Sequence, residues 1–62
     1  FIGSDRQARG AILALLRSQD EPITQSAVDA VWADAEQRAR AQASLVADGL
    51  IRVRGALVSL PD

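Results

Sequence analysis

Two arginines separated by a single residue are the clearest candidates for chemistry in this sequence. Arg52 and Arg54 flank Val53 and precede Gly55, so in an extended strand both guanidinium groups point to the same side. Guanidinium groups beside a tight turn can follow the phosphates of a nucleic-acid backbone, because each presents a planar fork of donors. The same pair also suits a structural role, since charged side chains keep a small sheet soluble and discourage edge pairing.

A second group of candidates lies in a predicted helix over residues 35–48. Arg40 suits a phosphate or a guanine edge and Gln37 suits an adenine edge, while Ser44 is expected nearby on the same surface. Glu36 would repel phosphates, so this helix is a weaker contact surface than the arginine pair. The sequence therefore predicts nucleic-acid contacts from Arg52, Arg54, Arg40, Gln37 and Ser44.

The residue types that are missing exclude most catalytic chemistry. The chain has no His, no Cys and no Lys, so it has no conventional triad, thiolate nucleophile, Schiff-base lysine or zinc site of nitrogen and sulfur ligands. Its carboxylates, among them Asp29, Asp34, Glu36 and Asp48, do not form an acid and base pair on a common cleft. We expect no catalytic residue, metal, cofactor or small-molecule substrate in this segment.

Charge and hydropathy limit the partners. Seven arginines stand against eight acidic residues, for a net charge of −1, whereas a dedicated nucleic-acid module is normally basic. Any binding to duplex DNA is therefore expected to be weak. The longest apolar run, residues 11–16, is too short to span a bilayer and no signal-like segment is present, so we expect a cytoplasmic protein without a membrane partner. Phe1 in place of an initiator methionine favours a domain cut from a longer chain.

Ser4 and Gln7 have capping-box spacing and predict a first helix over residues 5–18. The apolar periodicity divides this helix into two faces. Its core face is predicted to contain Ala8, Ala11, Ile12, Leu15 and Leu16, and its opposite face an arginine stripe of Arg6, Arg9 and Arg17.

Thr24 is predicted to cap a second helix of about eight residues. Val28, Val31 and Trp32 have helical spacing within it, and Trp32 is expected to anchor the core, although an indole can also stack on a nucleic-acid base.

Asp34 and Gln37 repeat the capping signature and start the third helix, with Gly49 predicted in a left-handed conformation at its end. Arg38 and Gln42 fall near the buried face, where Gln42 needs a hydrogen-bond partner or marks a contact with another domain. The predicted core residues are Leu45, Val46 and Gln42, and the predicted outward residues are Glu36, Arg40, Ala43 and Ala47, flanked by Gln37, Ser44 and Ala39.

The last dozen residues change to a period of two and predict a β-hairpin. If Arg54-Gly55 forms the turn, Val53 faces Ala56 and Ile51 faces Val58. An extended Pro22-Ile23 segment could add a third strand. The predicted fold is α+β: a small winged helix-turn-helix of three helices followed by a two-stranded antiparallel hairpin, as a single domain over residues 1–62.

Several blocks of this sequence resemble the C-terminal segment of a subset of bacterial A/G-specific adenine DNA glycosylases, the MutY family. The resemblance covers nearly the whole chain, from Phe1 to about Leu60. The blocks are Gly3-Ser4-Asp5-Arg6-Gln7-Ala8-Arg9-Gly10, Ile12 to Arg17, Pro22-Ile23-Thr24, Ala27-Val28-Asp29-Ala30-Val31-Trp32, and Asp34 to Leu50.

The resemblance implies a role in base-excision repair. In that family, excision of adenine and the iron–sulfur cluster belong to a preceding helical domain, so this segment would be an accessory that helps to engage DNA or the lesion, with the parent glycosylase domain and duplex DNA as partners. Two alternatives are a protein-interaction winged helix that docks on a catalytic domain or a repair partner, and the DNA-binding head of a transcription regulator. The last predicts a third helix rich in Arg, Lys, Asn and Gln, which this sequence lacks.

Overall fold

A computed structural model describes residues 3–61 as three helices and a three-stranded antiparallel sheet, which confirms the predicted α+β class. The strand order is β1-β3-β2, so the last strand of the chain is central and β2 lies at an edge. The elements are α1 (Asp5–Arg17), β1 (Ile23–Thr24), α2 (Gln25–Asp29), α3 (Ala35–Ala47), β2 (Arg52–Arg54) and β3 (Leu57–Ser59).

Helix α1 begins with the predicted capping box. The Ser4 hydroxyl accepts from the Gln7 backbone N–H at 3.2 Å, and the Gln7 side chain accepts from the Ser4 N–H at 2.9 Å. Two N–H groups at the helix start are thereby satisfied. The buried side chains of this helix, Ala8, Ile12 and Leu16, recur at every fourth residue, which confirms most of the predicted core face.

Helix α2 has the predicted cap but is shorter than predicted. The Thr24 hydroxyl accepts from the Ala27 N–H at 3.2 Å, and the helix ends at Asp29. The Val31 N–H bonds to the Val28 carbonyl three residues back, which tightens and ends the helix. Trp32 therefore lies beyond the helix, and it packs against the core as a half-buried side chain.

Helix α3 begins and ends as predicted. The Asp34 carboxylate accepts from the Gln37 N–H at 2.8 Å at the start. At the other end Gly49 has a φ of 75°, the Gly49 N–H bonds to the Val46 carbonyl, and the Leu50 N–H bonds to the Leu45 carbonyl. These two bonds form a Schellman motif, in which a glycine takes the left-handed conformation at no steric cost.

The hairpin turn differs from the prediction by one residue at each end. Arg54 pairs with Leu57 and Val53 pairs with Val58, so the turn is Gly55-Ala56 and not Arg54-Gly55. Two-residue hairpin turns require a positive φ at their first position, which glycine adopts easily. Gly55 occupies that position with a φ of 57°, and Arg54 stays in the strand. The shift moves the pairing by two residues, so the predicted division of side chains between the two faces is kept.

The third strand expected from the Pro22-Ile23 segment is present as β1. Ile23 pairs with Val58 and Thr24 pairs with Leu57. This pairing ties the sheet to the start of α2, because the Gln25 N–H also bonds to the Ala56 carbonyl at 2.8 Å.

The orientation of α3 is the main difference from the predicted core. Val46, expected inside, is 44% exposed, while Gln37, expected on the outer flank, is 9% exposed. The helix turns Gln37, Ala41 and Leu45 inward, and the small Ala41 permits close packing of α3 against α1. The buried hydrophobic core is formed by Ala8, Ile12, Leu16, Val28, Ala41, Leu45, Ile51 and Val58.

None of the helices found between residues 3 and 61 is long and apolar enough to cross a lipid bilayer.

Candidate nucleic-acid interface

Strand β2 presents Arg52 and Arg54 at an edge of the sheet. Both side chains are exposed, and the strand alternation places them on the same face, as predicted. Across residues 3–61, no carboxylate lies within ion-pair distance of either arginine. On the neighbouring strand, Leu57 shares this face and is 45% exposed. The hairpin therefore carries two accessible positive charges without a nearby neutralising partner.

Arg40 is exposed on α3 but is already paired. Its Nε and Nη2 atoms donate to the two carboxylate oxygens of Asp5, each at 3.2 Å. The hydrogen bonds from Arg40 hold the pKa of Asp5 below its ordinary range, and the same bonds raise the pKa of Arg40. A phosphate at Arg40 would face the negative charge of this carboxylate, which already neutralises the guanidinium.

Gln37 lies in the interior, so the prediction that it flanks the outer face of α3 is wrong. Its Oε1 accepts from the Trp32 indole N–H at 2.6 Å, and its Nε2 donates to the Gly3 carbonyl at 2.5 Å. Both the oxygen and the nitrogen of the Gln37 amide therefore have hydrogen-bond partners, in a site from which water is largely excluded. Gln37 shares a helix face with Ala41 and Leu45, four and eight residues later, but in the sequence this pattern is too weak to favour that face over the one that contains Val46.

Ser44 is half-buried and also has a partner within the chain. Arg9 crosses from α1 to α3, where Nη1 donates to the Ser44 hydroxyl at 2.7 Å and Nη2 to the Asp48 carboxylate at 2.9 Å. The prediction that Arg9 belongs to an outward stripe is therefore wrong, because its guanidinium binds the end of α3, where a cation is favoured by the helix dipole. Arg6 and Arg17 stay exposed on the outer face of α1.

Along the seam between α1 and α3, residues later in the α1 region contact residues later in α3. Gly3 contacts Gln37, Asp5 contacts Arg40, and Arg9 contacts Ser44. The two helices therefore run in the same general direction along this seam. The polar side chains at this contact hold the two helices together, which leaves Gln37 buried and the half-buried Ser44 with its hydroxyl already bonded to Arg9.

Gln42 has the hydrogen-bond partner that its position requires. Gln42 and Gln25 exchange two hydrogen bonds, each between an amide nitrogen and an amide oxygen at 2.8 Å. Gln25 also donates to the Asp29 carboxylate at 3.0 Å. These bonds join the start of α2 to the middle of α3.

Arg38 holds the segment between α2 and α3 in place. Its Nη1 donates to the Trp32 carbonyl at 2.6 Å, and its Nε lies 3.4 Å from the Asp29 carboxylate. No buried side-chain nitrogen or oxygen within residues 3–61 is without a hydrogen-bond partner. The interior polar groups are thus fully used in holding the fold.

A groove runs between the end of α3 and strand β2. Val46 on the helix and Val53 on the strand are 44% and 42% exposed. The residues that line the groove are Val46, Gly49, Ile51, Arg52, Val53 and Arg54.

The described part of the chain contains no group of three or more acidic, histidine or cysteine side chains arranged to hold a metal ion.

Comparison with known proteins finds similarity to adenine DNA glycosylases. The chain is 46% identical over 52 residues to an adenine DNA glycosylase of Mycolicibacterium smegmatis, a match that covers 82% of this chain and 18% of that protein. It is 44% identical over 52 residues to adenine DNA glycosylases of two Mycobacterium tuberculosis strains, covering 82% of this chain and 17% of each relative. The chain thus spans less than a fifth of the curated relatives that it matches. No protein-family model and no solved structure matches it.

Proposed function

We propose that this chain, which belongs to the adenine DNA glycosylase (MutY) family as a segment of its members, is an accessory C-terminal domain that helps a base-excision repair enzyme engage duplex DNA. Excision of the base takes place in the remaining and much larger part of the parent protein. The iron–sulfur cluster implied by the family resemblance belongs to that part as well, because this segment has no cysteine to ligate one.

The order of the elements supports a winged helix-turn-helix domain. Helices α2 and α3 form the helix-turn-helix pair, and the hairpin of β2 and β3 forms the wing, which the short strand β1 joins from the other side of β3. In such domains the second helix of the pair faces the major groove and a wing lies along the backbone.

The observation that carries the proposal is the contrast between the wing arginines and the other cations near α3. Arg52 and Arg54 are exposed and have no carboxylate at ion-pair distance in the described part of the chain, whereas Arg9, Arg38 and Arg40 each contact an aspartate. Phosphate groups can bind Arg52 and Arg54 without displacing an existing partner. We therefore assign the main backbone contact to the wing.

Helix α3 contributes little sequence reading in this proposal. Its exposed positions include Glu36, Ala39, Ala43 and Ala47, which offer few groups that pair with base edges. A phosphate at the remaining N–H donors of Arg40 would lie beside the Asp5 carboxylate, whose negative charge weakens the contact. Contact with DNA is thus weak and directed at the backbone, which also disfavours the alternative of a transcription regulator with a specific recognition helix.

A duplex-binding titration with matched variants tests the wing assignment. The double variant Arg52→Ala, Arg54→Ala is compared with Arg6→Ala, Arg17→Ala, which removes the same charge from the outer face of α1. We expect roughly tenfold weaker binding for the wing variant and less than about threefold for the control, since only the former removes direct phosphate contacts. Equal losses in the two variants would refute the wing assignment.

The accessory role requires a test in the full-length enzyme. The wing variant, placed in a full-length family member, is expected to raise the DNA dissociation constant while the single-turnover rate of base excision at saturating DNA stays the same. A lower excision rate with all DNA bound would contradict a role limited to engagement.

A further inference from the structure

The groove between α3 and β2 has features that the contact with DNA does not use. Val46 and Val53 line the groove from the helix and from the strand, and both are nearly half exposed. Apolar side chains of this size gain little from a phosphate backbone, but together they can bury one further apolar side chain.

The groove lies beside a strand edge that can accept another strand. β2 is the last strand in the order β1-β3-β2, so only β3 pairs with it. The other edge strand, β1, has two residues and leads directly into α2, which leaves less room there. An extended peptide that joins a sheet edge gains main-chain hydrogen bonds as well as side-chain contacts.

The charge of this edge selects the kind of peptide. Arg52 and Arg54 flank Val53 on β2, and two copies of the chain that paired through β2 would bring arginines against arginines, which is unfavourable. An incoming strand with carboxylates around a central apolar residue complements the same pattern. We propose that the groove binds an extended acidic segment of a partner protein, which adds a strand to β2 and buries an apolar side chain between Val46 and Val53.

The peptide site shares Arg52 and Arg54 with the proposed role in DNA engagement. It also requires the two valines and the free strand edge, which a phosphate backbone does not use. Substitution of a valine by glutamine removes apolar contact without changing charge, so the two proposals can fail separately.

The probe is a short synthetic peptide of alternating glutamate and valine, titrated into the isotope-labelled chain and followed by backbone amide NMR. We expect shift changes confined to residues 46–54 and about fivefold weaker binding for Val46→Gln and for Val53→Thr. Leu57→Gln is the matched control, because Leu57 is equally exposed, at 45%, but lies on β3 outside the groove. The affinity of Leu57→Gln for the peptide should stay within about twofold of that of the unaltered chain. Duplex DNA binding should be unchanged in Val46→Gln.

Four results would overturn the inference. The first is an equal loss of peptide affinity in Val46→Gln and Leu57→Gln, and the second is equal affinity for a peptide with lysine in place of glutamate. The third is self-association of the chain that Val46→Gln abolishes, and the fourth is a loss of duplex DNA binding in Val46→Gln. The last two would assign the groove to a second copy of the chain and to DNA, respectively.

Discussion

Trp32 donates its indole N–H to the side chain of Gln37 at 2.6 Å, and Gln37 in turn donates to the Gly3 carbonyl. One buried amide thus joins the segment before α3 to the segment before α1. Because water has little access to Gln37, each of these polar groups depends on the others for its hydrogen bond.

Replacement of Gln37 by alanine should destabilise the fold by about 1–3 kcal/mol, because it leaves the Trp32 N–H and the Gly3 carbonyl without their partner. Urea unfolding followed by tryptophan fluorescence measures the change, since Trp32 is the sole tryptophan of the chain. Gln19→Ala is the control, because Gln19 is exposed and should change stability by less than about 0.5 kcal/mol. Equal effects of the two substitutions would contradict a structural role for the Gln37 amide.

Alanine substitutions at Gly3 and Gly10 should change stability in opposite directions. A Cβ atom at Gly3 would overlap Oε1 of Gln7 and lie 2.9 Å from Cη2 of Trp32, whereas one at Gly10 would meet no atom within 4 Å apart from its own helix backbone. Gly3→Ala therefore forces the Gln7 side chain and the indole to move and should lower the melting temperature. Gly10→Ala removes a glycine from a helix interior and should stabilise the fold by about 0.5–1 kcal/mol. Thermal unfolding checks both, and a stabilising Gly3→Ala would contradict the close contact.

The ion pair of Asp5 and Arg40 predicts how stability depends on acid. The pKa of Asp5 is lower in the folded chain than in the unfolded chain, so the pair stabilises the fold above about pH 4, the ordinary Asp range, and this stabilisation is lost as the pH falls through the folded pKa. Asp5→Asn should therefore give a flatter fall in stability below about pH 4. Because both side chains are exposed, the effect should shrink at high salt.

NMR titration of the Asp5 carboxyl supplies a direct check of the same pair. In Arg40→Gln the pKa of Asp5 should rise towards its ordinary value, because the substitution removes the main hydrogen-bond donor to the carboxylate. An unchanged pKa in this variant would show that another group holds the carboxylate.

Local signals in the sequence predicted most of the helix and strand positions. The helix ends are fixed by hydrogen bonds between residues only three to five positions apart in the sequence. These bonds involve the capping side chains of Ser4, Thr24 and Asp34 and the backbone at Gly49. Such short-range chemistry can be inferred without knowing the tertiary structure. The alternation in the hairpin likewise predicted which side chains share a face, even though the turn was misplaced.

The orientation of α3 was not predictable from the same signals. Four of its five alanines are exposed and only Ala41 is buried, so the hydrophobic pattern is weak and does not distinguish Val46 from Gln37 as a core residue. The choice depends on contacts more than thirty residues apart in sequence, from Arg9 to Ser44 and from Gln37 to Gly3. The same contacts withdraw Ser44 and Gln37 from the candidate interface and leave the wing arginines as its clearest members.

The dependence of duplex binding on salt tests the central claim most directly. Each phosphate contact that an arginine makes adds about 0.9 to the slope of log K against log salt, because binding displaces condensed counterions. If Arg52 and Arg54 both contact phosphates, the variant Arg52→Ala, Arg54→Ala should have a slope smaller in magnitude by about 1.8 than the unaltered chain. An identical slope for the two proteins would contradict the assignment of DNA engagement to the wing.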